Sequence, residues 1–225
     1  MKKLSVILLL TIFIIACEKE QPFLPEPVIT AVPFNFDSVI PTNPYFGRYN
    51  IPADNPTTLQ GIELGRMLFY ETKLSGDNTM SCATCHIQEF AFSDGEATSV
   101  GIDGIAGKRS SMAIFNNLWD EEFFWDGRAK SLEEQALLPI EDPIELHQSL
   151  HGAIDKLRNT DVYPQKFEAA FGDNQITSER LAKAIAQFER TLISNNSKFD
   201  KASRGEITLT NQELNGRELF NLHAS

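Results

Sequence analysis

The chain has 225 residues, 42% hydrophobic and 23% charged, with 31 acidic side chains against 20 basic ones and a formal net charge of −11. That balance argues against a nucleic-acid partner, because a phosphate backbone calls for a basic face. It suits either plain solubility or the steering of a basic protein partner.

Met1-Lys2-Lys3 is a short basic segment, and Leu4 to Ala16 is apolar. A membrane-spanning helix needs about 20 apolar residues, so residues 1–16 read instead as a secretory signal peptide. The run ends Ile14-Ile15-Ala16-Cys17, which is similar to a bacterial lipobox. That similarity implies cleavage before Cys17 and lipidation of Cys17; the alternative is ordinary cleavage near Ala16 and a free thiol. Residues 17–56 hold eight of the eleven prolines. Such density disfavours helix and predicts an extended tether, whose aromatic second half, Phe34 to Ile51, is expected to pack along the following domain as irregular chain.

A first helix is predicted from Thr58 to Tyr70 on the apolar stripe Leu59, Ile62, Met67 and Leu68. The polar loop Lys73 to Thr79 then delivers Ser81-Cys82-Ala83-Thr84-Cys85-His86. C-x-x-C-H is the attachment pattern of a c-type haem. Cys82 and Cys85 would each form a thioether to a haem vinyl group, and His86 would be the axial ligand of the iron. Three competing readings fit less well. A structural zinc site needs about four ligands, and only His147, His151 and His223 remain with no second C-x-x-C. A thioredoxin-like pair wants a βαβ context, which the local sequence lacks. Chance is the third. With Cys17 assigned to lipid, no cysteine remains for a disulfide, and haem attachment of this kind fits an exported protein.

Phe90 to Arg109 carries Gly95, Gly101, Gly104 and Gly107 and reads as a loop around the haem edge. A short helix is predicted over Met112 to Leu118, then the aromatic cluster Glu121 to Arg128 ended by a turn. Further helices are predicted over Ser131 to Leu138, stopped by Pro139 and Pro143, and over Glu145 to Arg158. The clearest runs Ile176 to Ile193, with Thr177 as N-cap and Ile176 and Leu181 as its hydrophobic staple. No segment reads as a strand, so the expected class is all-α. Leu64-Gly65-Arg66-Met67-Leu68-Phe69 recurs as Asn215-Gly216-Arg217-Glu218-Leu219-Phe220, led by the capping box Thr210-x-x-Glu213. Two units follow: residues 57–205, a cytochrome c-like domain, and residues 206–225, the start of a second one cut short before its own haem motif. The alternative is chance similarity between two amphipathic helices.

Gly65-Arg66-x-Leu68-Phe69, the haem motif, Phe124-Trp125-Asp126-Gly127-Arg128 and Phe188-Glu189-Arg190-Thr191-Leu192, in that order, resemble the bacterial dihaem cytochrome c peroxidase family. That family includes the dihaem enzyme that matures methylamine dehydrogenase. The resemblance runs from about Leu59 to Phe220. It implies two c-type haems in a full-length protein, one of them in this chain, with this one meeting hydrogen peroxide. Electrons would come from a small donor protein, a cytochrome or a cupredoxin. By position, Trp125 resembles the family's tryptophan between the haems, and Gln135 and Glu145 its distal pair in the peroxide pocket. A carboxylate there can move the peroxide proton. On the residues alone, Glu145 reads equally as a solvated carboxylate, Gln135 as a surface side chain and Trp125 as core packing.

Two positions depart from the family. A histidine that caps the haem in many members falls here at Ile102, which cannot ligate iron, so the resemblance predicts a permanently open, five-coordinate site. An asparagine that binds calcium falls at Ser110, and calcium is doubtful for this chain. The reading is a periplasmic peroxidase, lipid-anchored to a bacterial membrane; a homodimer is compatible with it. Its rivals are a related haem enzyme oxidising a protein or organic substrate, and a monohaem electron carrier with Met112 as second ligand.

Overall fold

Helix α1 runs Leu59–Phe69, and Thr58 caps it: its side chain accepts a hydrogen bond from the Gly61 N–H at 3.0 Å. The structure is a computed structural model that describes residues 31–40 and 46–223. The signal segment, Cys17 and its expected lipid lie outside the described residues. Seven further helices follow among the described residues: α2 (Cys82–Cys85), α3 (Leu132–Glu141), α4 (Leu150–Arg158), α5 (Tyr163–Phe171), α6 (Ser178–Glu189), α7 (Lys198–Ser203) and α8 (Asn211–His223). Besides them the described residues hold only short 3-10 turns and isolated β-bridges, such as Ile87 with Ser93. The fold is all-α, as expected.

The core forms where α6 crosses α1, with α3, α4 and α5 packed around the pair. Leu64 and Leu68 from α1, Leu181 and Ile185 from α6, and Phe167 from α5 are almost wholly buried. Each such side chain contributes about 1.5–3 kcal/mol of transfer free energy. Gly65 sets how closely the two helices approach. A Cβ there would lie 2.7 Å from the carbonyl carbon of Ala184 and 2.9 Å from Phe188 Cβ, so only glycine admits this contact. Phe69 and Phe188 then pack with tilted rings at a centroid separation of 5.3 Å, bringing two of the sequence motifs into contact.

A buried polar chain ties the proline-rich approach to this core. Asn55, 2% exposed, donates to the Glu133 carboxylate at 2.5 Å and to the Lys183 carbonyl at 3.1 Å. Gln187 donates to Asn55 at 2.8 Å and accepts from the Thr58 N–H at 2.9 Å. Arg190 grips Glu133 with both guanidinium nitrogens, at 2.9 and 2.8 Å. Burial pushes Glu133 toward its neutral form, but Arg190 and Asn55 outweigh it and hold the carboxyl below its usual pKa. Upstream, Phe36 is buried and Phe46 stacks on Trp119, whose indole N–H donates to the Gly47 carbonyl.

Four helices differ from the sequence reading; α6, expected to run to Ile193, ends at Glu189. Residues 112–116 are not helical; only Asn117–Trp119 forms a 3-10 turn. Asn116 adopts a left-handed φ of 65° while its N–H binds the Leu192 carbonyl at 2.7 Å, so a long-range pairing overrides local helix preference. Helix α3 continues through Pro139 to Glu141. A proline so near the end removes a single backbone bond, to the carbonyl of Gln135. Helix α4 begins at Leu150 rather than Glu145, capped by Ser149, because residues 142–148 form a compact turn with His147 at φ 46°. Helices α5 and α7 go beyond the sequence reading. Their signals were present: Pro164 in the first turn and Gly172 at the left-handed C-cap of α5, and the Ser197/Asp200 capping box of α7.

Helix α8 opens on the expected capping box, with Glu213 accepting from the Thr210 N–H at 2.8 Å. Its repeat positions sit differently from those of α1. Leu68 and Phe69 are fully buried, whereas Leu219 and Phe220 are 58% and 71% exposed. Among the described residues no helix is long and apolar enough to cross a membrane.

Candidate haem-binding and active site

Cys82 and Cys85 stand three positions apart on the one turn of α2, which puts both thiols on the same face. The Ser81 N–H donates to Thr84 Oγ1 at 3.0 Å, closing the start of that turn. The two cysteines are not bonded to each other. Burial pushes the Cys82 thiol up to about 12, with Glu189 and Glu145 adding to it; burial and Asp94 push Cys85 up to about 11. Thiols of this kind are not activated redox nucleophiles, which removes the thioredoxin-like alternative.

His86 follows directly. Its Nδ1 lies 2.8 Å from the Phe92 carbonyl, which assigns the proton to Nδ1 and leaves the lone pair on Nε2. Burial lowers the His86 pKa against the opposing pull of the Phe92 and Met112 carbonyls and Asp94, and iron takes a neutral imidazole. The Phe92 carbonyl is aimed by a tight loop: Ala91 and Phe92 both hold left-handed φ values, 57° and 58°, and Phe92 N–H returns to the Ile87 carbonyl at 2.9 Å. Two consecutive non-glycine residues in that region are strained. This orienting carbonyl was invisible to sequence reasoning, since any side chain could carry it.

The six residues singled out for haem attachment and catalysis line one cavity of about 420 Å³: Cys82, Cys85, His86, Trp125, Gln135 and Glu145. Its walls come from α2, the glycine-rich loop, the Phe124–Arg128 turn, α3, the turn after α3, and α6. Gln135 looks in from α3, one turn before Pro139, which also lines the cavity. Glu145 comes from the turn that follows. Glu145 is exposed on the cavity side; the protein packed near its carboxyl and the charge of Asp142 nevertheless raise its pKa, and Arg128 opposes them.

Trp125 stands at the rim, 62% exposed, its indole N–H donating to the Ser110 carbonyl at 3.0 Å. It is therefore not a core residue. The motif around it is a hairpin bend: Phe124 and Gly127 both sit at φ 67°, and Phe123 pairs with Ala129 through two backbone hydrogen bonds. The Arg128 guanidinium lies 3.5 Å above the Phe124 ring. Asp126 accepts from Arg109 and Arg128 at 3.1 and 3.0 Å, pinning the glycine-rich loop to the bend.

Ile102 does not line the cavity. Its backbone N–H donates to the Glu145 carbonyl at 2.9 Å, and its side chain lies toward Gly76. Gly101 makes that seat attainable, since a Cβ there would lie 2.8 Å from the Glu145 carbonyl oxygen. The neighbouring Asp103 pairs with His147 at 2.6 Å, so the one imidazole near this loop is engaged away from the cavity. Among the described residues His86 is the imidazole that lines it. Met112 also lines it, and its carbonyl acts on the His86 ring.

The donor set fits a covalently held haem: two thiols on one face, an oriented neutral imidazole, a cavity whose lining includes Ile144, Leu146 and Ile185, and polar groups gathered at Gln135 and Glu145.

The family model described as "Di-haem cytochrome c peroxidase" matches residues 59–208. The methylamine utilization protein MauG of Methylophilus methylotrophus is 36% identical over 171 residues, which is 76% of this chain and 51% of that protein. The cytochrome c peroxidase Ccp of Escherichia coli is 39% identical over 180 residues, 76% of this chain and 37% of that protein. Among solved structures, a MauG-like protein associated with microbial copper homeostasis superposes with a TM-score of 0.74 at 33% identity, over 83% of this chain and 55% of that one. The chain thus spans about half the length, or less, of the relatives it matches. The model match extends across α1 through α7 and takes in the whole cavity, so the chain belongs to the di-haem cytochrome c peroxidase family.

Proposed function

We propose that this chain is the peroxide-reacting haem domain of a periplasmic peroxidase, reducing hydrogen peroxide to water with electrons from a small redox protein. The observation that carries it is the meeting of Cys82, Cys85 and His86 with Gln135 and Glu145 in one cavity. Cys82 and Cys85 would hold the haem by thioethers and His86 would ligate its iron. The haem supplies the iron at which peroxide is reduced. Glu145 takes the proton from peroxide and returns it to the departing oxygen, a task for a carboxyl whose pKa lies above the ordinary range. The Gln135 amide donates a hydrogen bond to the peroxide. Trp125, exposed at the rim, is where electrons pass from the donor side. Residues 206–225 begin a second cytochrome c-like domain, Cys17 carries lipid that holds the protein at a bacterial membrane, and the full-length protein carries a second haem.

The test is donor-dependent consumption of hydrogen peroxide by the haem-loaded protein, with a reduced cytochrome c or cupredoxin as donor. Glu145→Gln should lower the rate at least a hundredfold while leaving covalent haem content unchanged. Equal rates in the two proteins would remove Glu145 from the chemistry. A second reading, oxidation of a protein or organic substrate, is supported by the exposure of Trp125 and by the 36% identity to the methylamine utilization protein. Under that reading peroxide is consumed only when an oxidisable substrate replaces the reduced donor.

A further inference from the structure

Glu189 closes α6, in the motif Phe188-Glu189-Arg190-Thr191-Leu192, and none of the roles above uses it. It is 5% exposed and lines the cavity beside Cys82. Its Oε2 is buried without a hydrogen-bond partner. The adjacent Arg190 does not satisfy it: its Nη2 donates to Glu133, while its Nη1, 2.8 Å from the same carboxylate, is itself left without a hydrogen bond. A buried carboxylate with a bare oxygen costs far more than a buried carboxylic acid, and Glu189 would be expelled or neutralised unless something in the cavity changed the balance.

Burial and two charged groups act on it: burial raises its pKa first, Arg190 opposes, and Glu133 adds to the rise, leaving it at about 8. In turn Glu189 is, after burial, the next strongest influence on Cys82. His86, Lys108, Arg109, Asp126, Arg128, Asp142 and Glu145 line the same cavity. The carboxyl therefore feels directly any charge that develops beside Cys82.

We propose that Glu189 is a redox-linked proton site: its carboxyl binds one proton when the haem held at Cys82 and Cys85 gains one electron, and releases that proton when the electron leaves. This rests on the haem reading above. The electron comes from the small donor protein, or from an electrode in the test, and the proton comes from solvent. One negative charge arrives with the electron and one positive charge with the proton, so the cavity keeps its net charge in both states. The physical warrant is that a charge added in a low-dielectric site raises the pKa of a nearby acid. The acid with the bare, buried oxygen stands closest to balance.

The experiment is a spectroelectrochemical titration of the haem-loaded protein and of Glu189→Gln between pH 6 and 10. In the parent protein the midpoint should fall with pH, approaching about 59 mV per pH unit, the value of a tenfold change in proton activity for one electron. In Glu189→Gln that slope should flatten over the same range. An unchanged slope in Glu189→Gln would overturn the proposal and assign the proton to another group. If the variant does not fold, a redox-difference infrared spectrum of the parent protein decides. A protonated-carboxyl C=O band must appear on reduction; its absence overturns the proposal. Failure of haem to stay bound after denaturation would instead refute the haem reading itself, so the two failures are distinguishable.

Discussion

Replacing Gly65 by alanine should destabilise the domain by about 2 kcal/mol, although alanine is the better helix former. The added Cβ would fall inside contact distance of the Ala184 carbonyl group, 2.7 Å from its carbon, and 2.9 Å from Phe188 Cβ. The obstacle is backbone, so α1 and α6 must separate, and the loss is shared by every contact along the crossing. Overpacking of this kind costs about 1–3 kcal/mol, with this site at the upper end, and the helix-propensity gain of about 1 kcal/mol offsets part of it. For a chain of this size a 2 kcal/mol loss lowers the melting temperature by roughly 4–8 °C. Gly216, its counterpart in the repeat, has no atom within 4 Å of a built Cβ. Gly216→Ala should therefore raise α8 helicity by about 1 kcal/mol and serves as the control. Urea denaturation of both variants gives the comparison. A Gly65→Ala protein as stable as the parent would refute the close-approach argument.

Three further outcomes are expected. The peroxide step should rise with pH as Glu145 loses its proton, and because enclosure and Asp142 raise that pKa, the rising limb should lie above the ordinary carboxylate range. Glu145→Gln should lose the limb along with a factor of about 10²–10⁴ in rate, and a limb that survives there belongs to another group. Glu133→Ala should cost about 3–5 kcal/mol in denaturant unfolding, since it strands the buried Arg190 charge; a loss under 1 kcal/mol would contradict it. Because Glu133 is held below its usual pKa, its contribution is present at neutral pH and fades as pH falls through the depressed value. Asp103→Asn breaks an exposed pair with His147 and should change global stability by no more than about 1 kcal/mol. It should nevertheless speed amide exchange at Ile102, whose N–H is bound to Glu145; unchanged exchange would show that the pair does not hold the loop.

The parts of the site legible in the sequence were those that local chemistry demands. C-x-x-C-H needs no neighbours to declare two thiols and an imidazole on one short turn, and the capping residues Thr177 and Thr210 mark helix starts wherever they fall. Gln135 and Glu145 were found by resemblance, not by any local signal, and the structure brings them to the cavity through two features that periodicity hides. One is a helix that runs on past Pro139; the other is a turn held by His147 in a left-handed conformation. The Phe92 carbonyl, the Asn116–Leu192 pairing and the bare oxygen of Glu189 belong to contacts between distant segments. No one-dimensional pattern records them. Trp125 is the opposite case: preceded by two phenylalanines, it reads on the residues alone as core packing, yet its indole is anchored to Ser110 at the surface.

The central claim is that the cavity holds a haem whose side opposite His86 is open to peroxide. Its most direct test is the electron paramagnetic resonance spectrum of the ferric, haem-loaded protein at rest, with His86 the lining imidazole and Ile102 turned away. A high-spin, five-coordinate signal that converts rapidly on adding cyanide is the expected result. A low-spin, six-coordinate signal in the resting protein would contradict the account.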